Sequence, residues 1–182
     1  MRNVVLYELL SLDGVAERPI DFFPKVDDVL LENLRRVIAD QDTVLLGRKT
    51  YDMWAQDWPR SDMEPFAPFI NNVRKYVVTS SPLARPWQNS EVVDSPIGEF
   101  MAKLKQQEGG DIGVHGSLSL ARTLLREGLV DELRLVIAPA IAGSGTRLLD
   151  DLPPRRFQLT RQVSNPDGYL FLDYLVPTTT ES

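Results

Sequence analysis

Residues 111–128 read DIGVHGSLSLARTLLREG, and the hydrophobic period changes halfway along them. Ile112 to His115 is a short run rich in β-formers, and Gly116 lets the backbone turn sharply. Leu118, Leu120, Ala121, Leu124 and Leu125 then recur at helical spacing until Gly128 closes the run. The stretch predicts strand, glycine turn and helix, with Ser117 as the N-cap. A helix that springs directly from a buried strand aims unpaired N–H groups and the positive end of its dipole above the sheet edge, where they suit a phosphate. An ordinary βα unit that binds nothing has the same pattern, so function has to be argued from the rest of the chain.

The 182 residues suffice for one domain with a substantial core, spanning 1–182 and ending in a polar tail at 177–182. Hydrophobic residues make up 43% and charged residues 25%, as in ordinary soluble globular proteins, and no apolar run approaches membrane-spanning length. Cysteine is absent, which excludes disulfides and thiolate metal sites, and one histidine leaves little for a metal cluster. The N-terminus turns polar too early for a secretory signal, so a cytoplasmic location is expected. A net charge of −6 argues against a general nucleic-acid binder, which must neutralise phosphates with Lys and Arg.

Upstream, Arg2 to Leu10 is an apolar first strand that breaks at Ser11-Leu12-Asp13-Gly14. Asp13 reads either as a turn residue or, if the strand is central, as a carboxylate facing the crevice where open α/β sheets bind ligands; it is the candidate catalytic residue. Residues 17–24 lack periodicity and read as a loop with exposed aromatics, Phe22 and Phe23, a candidate flap over a site. Val26, Val29, Leu30, Leu34, Val37 and Ile38 predict the first helix, with Asp27 and Asp28 in its first turn. Thr43 to Leu46 is a second strand running into Gly47-Arg48-Lys49-Thr50 and a short helix bearing Tyr51, Met53 and Trp54, which Pro59 ends. Two cations and a hydroxyl at that turn make either an anion site or a solvated basic turn.

Residues 60–72, rich in Pro, Asp and Asn, read as an irregular surface connection. Lys75 to Thr79 and Ser90 to Val93 are further strands, the former ending in the hydroxyls Thr79, Ser80 and Ser81. Ser95-Pro96 reads as N-cap and N1 of a helix carrying Ile97, Phe100, Met101 and Leu104. After residue 128 comes a strand over 129–137. Gly143-Ser144-Gly145 lacks the third glycine and the following helix of a dinucleotide fingerprint. Residues 156–164 and 169–176, separated by Asn165-Pro166-Asp167-Gly168, read as an antiparallel hairpin. Strand and helix alternation with a terminal hairpin predicts an α/β fold, a mixed, mostly parallel central sheet with helices on both faces.

Taken in order, Ser11-Leu12-Asp13-Gly14, Gly47-Arg48-Lys49-Thr50, Thr79-Ser80, and the block from Val114-His115-Gly116-Ser117 through Gly128-Leu129-Val130-Asp131-Glu132-Leu133 to Gly143-Ser144-Gly145 resemble the dihydrofolate reductase superfamily. The nearer branch is similar to the C-terminal reductase domain of bifunctional riboflavin-biosynthesis deaminase/reductase proteins. The resemblance implies a three-layer α/β/α dihydrofolate-reductase-like fold, a homodimer, and NADPH along the C-terminal edge of the sheet. It implies that Gly47, Arg48, Lys49 and Thr50 hold the phosphates of the adenosine half, with Thr79 and Ser80 near the ribose and 2′-phosphate. Arg and Lys suit a 2′-phosphate, and neither turn contains an acidic residue. Gly116, Ser117 and Leu118 would present helix N–H groups to the pyrophosphate, Asp13 would lie near the nicotinamide and substrate end, and His115 joins the cofactor-binding candidates as a structural or pocket-lining residue rather than a proton donor. Phe22, Phe23 and Trp54 are the substrate-pocket candidates. The chain departs from the family in carrying His115-Gly116 where members often have two glycines, and it lacks a clear pterin-gripping carboxylate on the first helix. The implied activity is hydride transfer from NADPH to a small heterocycle, with the 5-amino-6-(5-phosphoribosylamino)uracil reductase step of riboflavin synthesis as the nearest named reaction. The alternative is a non-catalytic nucleotide-binding or ligand-sensing protein that keeps the cleft without turnover.

Overall fold

The computed structural model describes residues 1–177; residues 178–182, which hold the Thr178-Thr179-Thr180 tract and most of the expected polar tail, lie outside the described residues. Eight strands form one sheet: β1 (Val4–Leu10), β2 (Gln41–Gly47), β3 (Arg74–Val78), β4 (Ser90–Val93), β5 (Asp111–His115), β6 (Glu132–Ile137), β7 (Gln158–Ser164) and β8 (Leu170–Leu175). Their order is β4-β3-β2-β5-β1-β6-β8-β7. Every pair from β4 to β6 is parallel, and the terminal hairpin is antiparallel, with β8 pairing β6 and β7 on the outside.

Five helices cover the sheet: α1 (Asp28–Ile38), α2 (Arg48–Asp57), α3 (Phe66–Asn72), α4 (Ile97–Gln106) and α5 (Leu118–Arg126). Side chains alternate across a strand, so each central strand feeds two cores. Leu6, Leu45, Val114 and Leu133 meet Met101 and Leu104 of α4 and Leu120 and Leu124 of α5. Tyr7, Val44, Leu46 and Val136 meet Leu30 and Val37 of α1, Tyr51 of α2 and Phe66 and Ile70 of α3. Val4, Val5 and Leu6 are fully buried, as expected of a strand with both faces covered. Each such aliphatic side chain contributes about 1.5–3 kcal/mol to folding.

The run ending at Leu133 has a structural reason. Asp131 accepts a hydrogen bond from the Val4 N–H at 2.7 Å and pairs with Lys105 Nζ at 2.6 Å, so one carboxylate ties the start of β1 to the end of α4. Arg2 does a similar job: its Nη2 donates to Thr43 Oγ1 at 2.8 Å and pairs with Asp42, while its Nε donates to the Gly110 carbonyl at 2.7 Å.

Several local expectations are corrected. Residues 66–72, expected to be irregular, form α3, and Phe66, Ala67 and Ile70 are buried. The segment is short and carries Pro65 and Pro68, so its helical signal is weak; aromatic packing sustains it, with the Phe66 ring 4.8 Å from Trp58 and 5.5 Å from Trp54. Phe22 and Phe23 are not exposed flap residues. They are 5% and 4% exposed and pack into the α1–α3 side of the core, Phe23 stacking 5.2 Å from Tyr169. Helix α4 begins at Ile97 with Pro96 at the cap and no side-chain cap, one residue later than Ser95-Pro96 implied. Asp27 is a true N-cap, accepting from the Leu30 N–H at 2.7 Å.

Candidate functional site

The parallel strands β1, β2, β3 and β5 all finish on one edge. From β5 the chain leaves toward the α4–α5 face, whereas from its neighbours β1 and β2 it leaves toward the α1–α3 face. Diverging connections of this kind open a crevice at the C-terminal ends of the strands. Here it is a cleft of about 700 Å³. Its floor is Tyr7 and Glu8 of β1 and the joint His115-Gly116-Ser117-Leu118. Leu30 and Leu34 of α1 form one wall, and Lys49, Thr50, Met53 and Trp54 of α2 form the other together with Trp58 and Phe66. Residues 16–20 close the rim, including the short 3-10 turn Pro19–Asp21.

The joint between β5 and α5 differs from a plain capped helix. Gly116 and Ser117 both have left-handed backbones, φ +66° and +62°, and the His115–Gly116 peptide is trans. Ser117 does not cap α5 with its side chain; its Oγ instead accepts from the Gly47 N–H at 2.8 Å. A Cβ on Gly47 would lie 3.1 Å from that oxygen, so glycine permits the close approach of the β2 and β5 ends. The starts of α2 and α5 are thereby held side by side, neither with a side-chain cap. Two adjacent helix N-termini concentrate N–H donors and positive dipole ends at the same edge.

Beside this edge Arg48 crosses from α2 to the loop after β3, donating to Ser81 Oγ at 2.7 Å and the Pro82 carbonyl at 2.8 Å. Thr79 Oγ1 accepts from the Ser81 N–H at 3.3 Å, and Ser80 is exposed next to it. The turns themselves hold no carboxylate, yet one helical turn onward Asp52 pairs with Arg48 Nε at 2.7 Å, a neighbour that inspection of the turns alone missed. Lys49 is exposed on the cleft rim.

His115 and Tyr7 face the aromatic wall. The His115 ring lies 5.5 Å from Phe66 and 5.8 Å from Tyr7, and its Nε2 is 2.7 Å from Gln41 Oε1. Gln41 Nε2 donates to the Val37 carbonyl at 3.0 Å, leaving Oε1 to accept, so the Nε2–H tautomer is selected. Burial pushes the imidazole pKa down to about 3, which keeps it neutral. Burial likewise raises the Tyr7 phenol.

Asp13 lies outside the cleft lining. Its carboxylate accepts from Ser11 Oγ at 2.7 Å and from the Ala142 and Gly143 N–H groups at 2.9 and 3.0 Å, and these bonds lower its pKa to about 2. Ser11-Leu12-Asp13-Gly14 and the Gly143 loop are thus two halves of one clamp. Trp54 does line the cleft, whereas Phe22 and Phe23 support its rim from the core. Sequence reading passed over Glu8. It sits inside the apolar run of β1, 6% exposed, and burial raises its pKa to about 8 against a small opposing effect of the Gly116 N–H. The available signal was a carboxylate at a position where Val4, Leu6 and Leu10 occupy the same strand face.

A parallel sheet with an antiparallel terminal hairpin, and a cleft where β1, β2 and β5 end, define a dihydrofolate-reductase-like α/β protein. Residues 2–171 match the RibD C-terminal domain, and the chain belongs to that family, one of reductases that typically use NADPH. Among sequence relatives, the uncharacterized Bacillus subtilis protein YyaP is 30% identical over 162 residues, covering 85% of this chain and 84% of its own length. YwjB of the same organism, also uncharacterized, is 28% identical over 154 residues, covering 83% and 84%. A putative riboflavin biosynthesis protein from Shewanella superposes with a TM-score of 0.73 at 19% identity, over 96% of this chain and 99% of the other. A pyrimidine reductase-like protein from Corynebacterium diphtheriae gives 0.71 at 18%, over 97% and 92%. The deaminase/5-amino-6-(5-phosphoribosylamino)uracil reductase of Thermotoga maritima gives 0.68 at 16%, over 97% of this chain and 57% of that one. Among the described residues no helix is long and apolar enough to cross a membrane.

Proposed function

We propose that the protein is an NADPH-dependent reductase that passes hydride to a small heterocyclic compound held in the cleft. The observation that carries this reading is the pairing of two uncapped helix N-termini with a deep aromatic cleft at one sheet edge. The residues fit the cofactor. Ser117 and Leu118 at the start of α5 offer backbone donors to a pyrophosphate, Gly47 fixes their position by donating its own N–H to Ser117 Oγ, and Thr50 and Lys49 border them on the cleft side. Arg48, Thr79 and Ser80 form a basic, hydroxyl-rich turn suited to a phosphate monoester, with Asp52 restraining the Arg48 guanidinium. When bound, NADPH supplies the hydride, and the chain's contribution is orientation and exclusion of water.

The aromatic walls Trp54, Trp58, Phe66 and Tyr7 suit a flat ring. A pyrimidine of the riboflavin route is the substrate class favoured by the family, and a protein that binds the cofactor without turnover is the other outcome. The test follows NADPH absorbance while a panel of aminopyrimidines, pterins and small carbonyl compounds is added. Oxidation that one class accelerates supports the reading. Cofactor binding with no oxidation across the panel favours the sensing alternative.

A further inference from the structure

Glu8 Oε1 is a buried polar atom in the cleft that neither the fold nor the cofactor-binding residues employ. Glu8 occupies a strand position whose other occupants, Val4, Leu6 and Leu10, are core aliphatics, so packing alone asks for a hydrophobic residue. Its side chain is more than nine-tenths buried, and it lines the cleft floor beside Gly116. Oε1 is buried without a hydrogen-bond partner, and among the described residues no ion pair reaches it. Of the charged groups around the cleft, Glu17 is engaged with Thr146, while Arg18 and Lys49 stand at the rim. A buried polar atom with nothing to bond in the protein is a costly feature unless a ligand completes it.

We propose that Glu8 recognises an amide edge of the molecule bound in the cleft, one carboxyl oxygen donating to the ligand's carbonyl and the other accepting from its adjacent N–H. A carboxylic acid presents donor and acceptor side by side, the complement of a carboxamide or lactam. Retention of the proton at neutral pH follows from burial without a cation, which places the pKa at about 8. The inference rests on the reductase reading, in which two molecules share this chemistry: the carboxamide of the nicotinamide and the lactam of a pyrimidine substrate.

Glu8→Gln and Glu8→Leu proteins, compared with wild type by calorimetric titration, separate the two sources. The probes are NADPH, 2′,5′-ADP, which lacks the carboxamide, and uracil. Oε1 bonds nothing in the protein and Glu8→Leu gives up only the Gly116 N–H contact, so its melting temperature should stay close to that of wild type. Recognition of the carboxamide predicts about a tenfold loss of NADPH affinity in Glu8→Leu with 2′,5′-ADP unchanged. Recognition of the lactam predicts that loss for uracil with NADPH unchanged. Glu8→Gln, which keeps a donor and an acceptor, should retain most of the affinity in either case. Glu8→Leu binding NADPH and uracil like wild type overturns the proposal, as does an equal loss for all three probes. Wild type that binds uracil but neither nucleotide sinks the cofactor reading alone, and Glu8 is then judged on uracil. Wild type that binds none of the probes overturns both.

Discussion

Glu8 and Asp13 lie five positions apart and have opposite electrostatic fates. Asp13 keeps its charge because Ser11 and two backbone N–H groups solvate it, and the stability it contributes is present above the ordinary carboxylate pKa and lost as pH falls toward about 2. Glu8 has the Gly116 N–H against it, but burial outweighs that bond and it holds its proton up to about pH 8. The folded chain therefore binds more protons at Glu8 than the unfolded chain between pH 4.5 and about 8, and stability falls as pH rises through that window. The slope is at most about 1.4 kcal/mol per pH unit. Glu8→Gln should remove it, so the variant's melting temperature should gain on wild type from pH 5 to pH 8; a constant difference would contradict the assignment. The neutral His115 acts in the other direction, its contribution being lost as pH falls from 6.5 toward about 3. None of this was legible in the sequence. Asp13 was visible as a strand-end carboxylate, but its partners at Ala142 and Gly143 come from a distant loop, and only the folded chain shows that they occupy both its oxygens.

At the scale of elements, period and punctuation carried most of the reading. The switch from β-formers to helical spacing at Gly116 located β5 and α5, and Asn165 to Gly168 located the β7–β8 turn, because both signals are local. Helix α3 was missed because its stabilisation is tertiary. Phe66 is 5% exposed and contacts Trp54, Trp58 and His115, joining α3 to the cleft wall. Phe66→Ala should lower stability by about 3–5 kcal/mol in denaturant unfolding and weaken ligand binding in the cleft. An unchanged unfolding midpoint would show that α3 is held by something else. The role of Ser117 was misassigned for a related reason. Its left-handed backbone takes the hydroxyl away from a cap on its own helix and toward Gly47, a contact between segments that sequence spacing does not encode.

For the whole molecule, the superfamily resemblance anticipated the sheet and the position of the crevice, since both follow from the order of strands and helices. The outer hairpin adds a feature of assembly. Strand β7 is the sheet's edge and is almost wholly exposed, and Leu159, Val163, Leu170 and Leu175 are each at least 40% exposed along the hairpin. An exposed apolar edge of this kind favours pairing with another chain. The proposed homodimer predicts a dimer mass in sedimentation at micromolar concentration, and the double substitution Leu159→Glu with Val163→Lys should shift it to monomer. A wild-type monomer would remove this part of the account.

The central claim is that the sheet edge between α2 and α5 is a binding site for a 2′-phosphorylated nicotinamide dinucleotide. Titration of the purified protein with NADPH and, separately, NADH, followed by nicotinamide fluorescence, tests it most directly. The account predicts micromolar or tighter binding of NADPH and at least about tenfold weaker binding of NADH, the difference expected from charge-assisted contacts to the extra phosphate. Binding of neither dinucleotide, or equal binding of both, would contradict it.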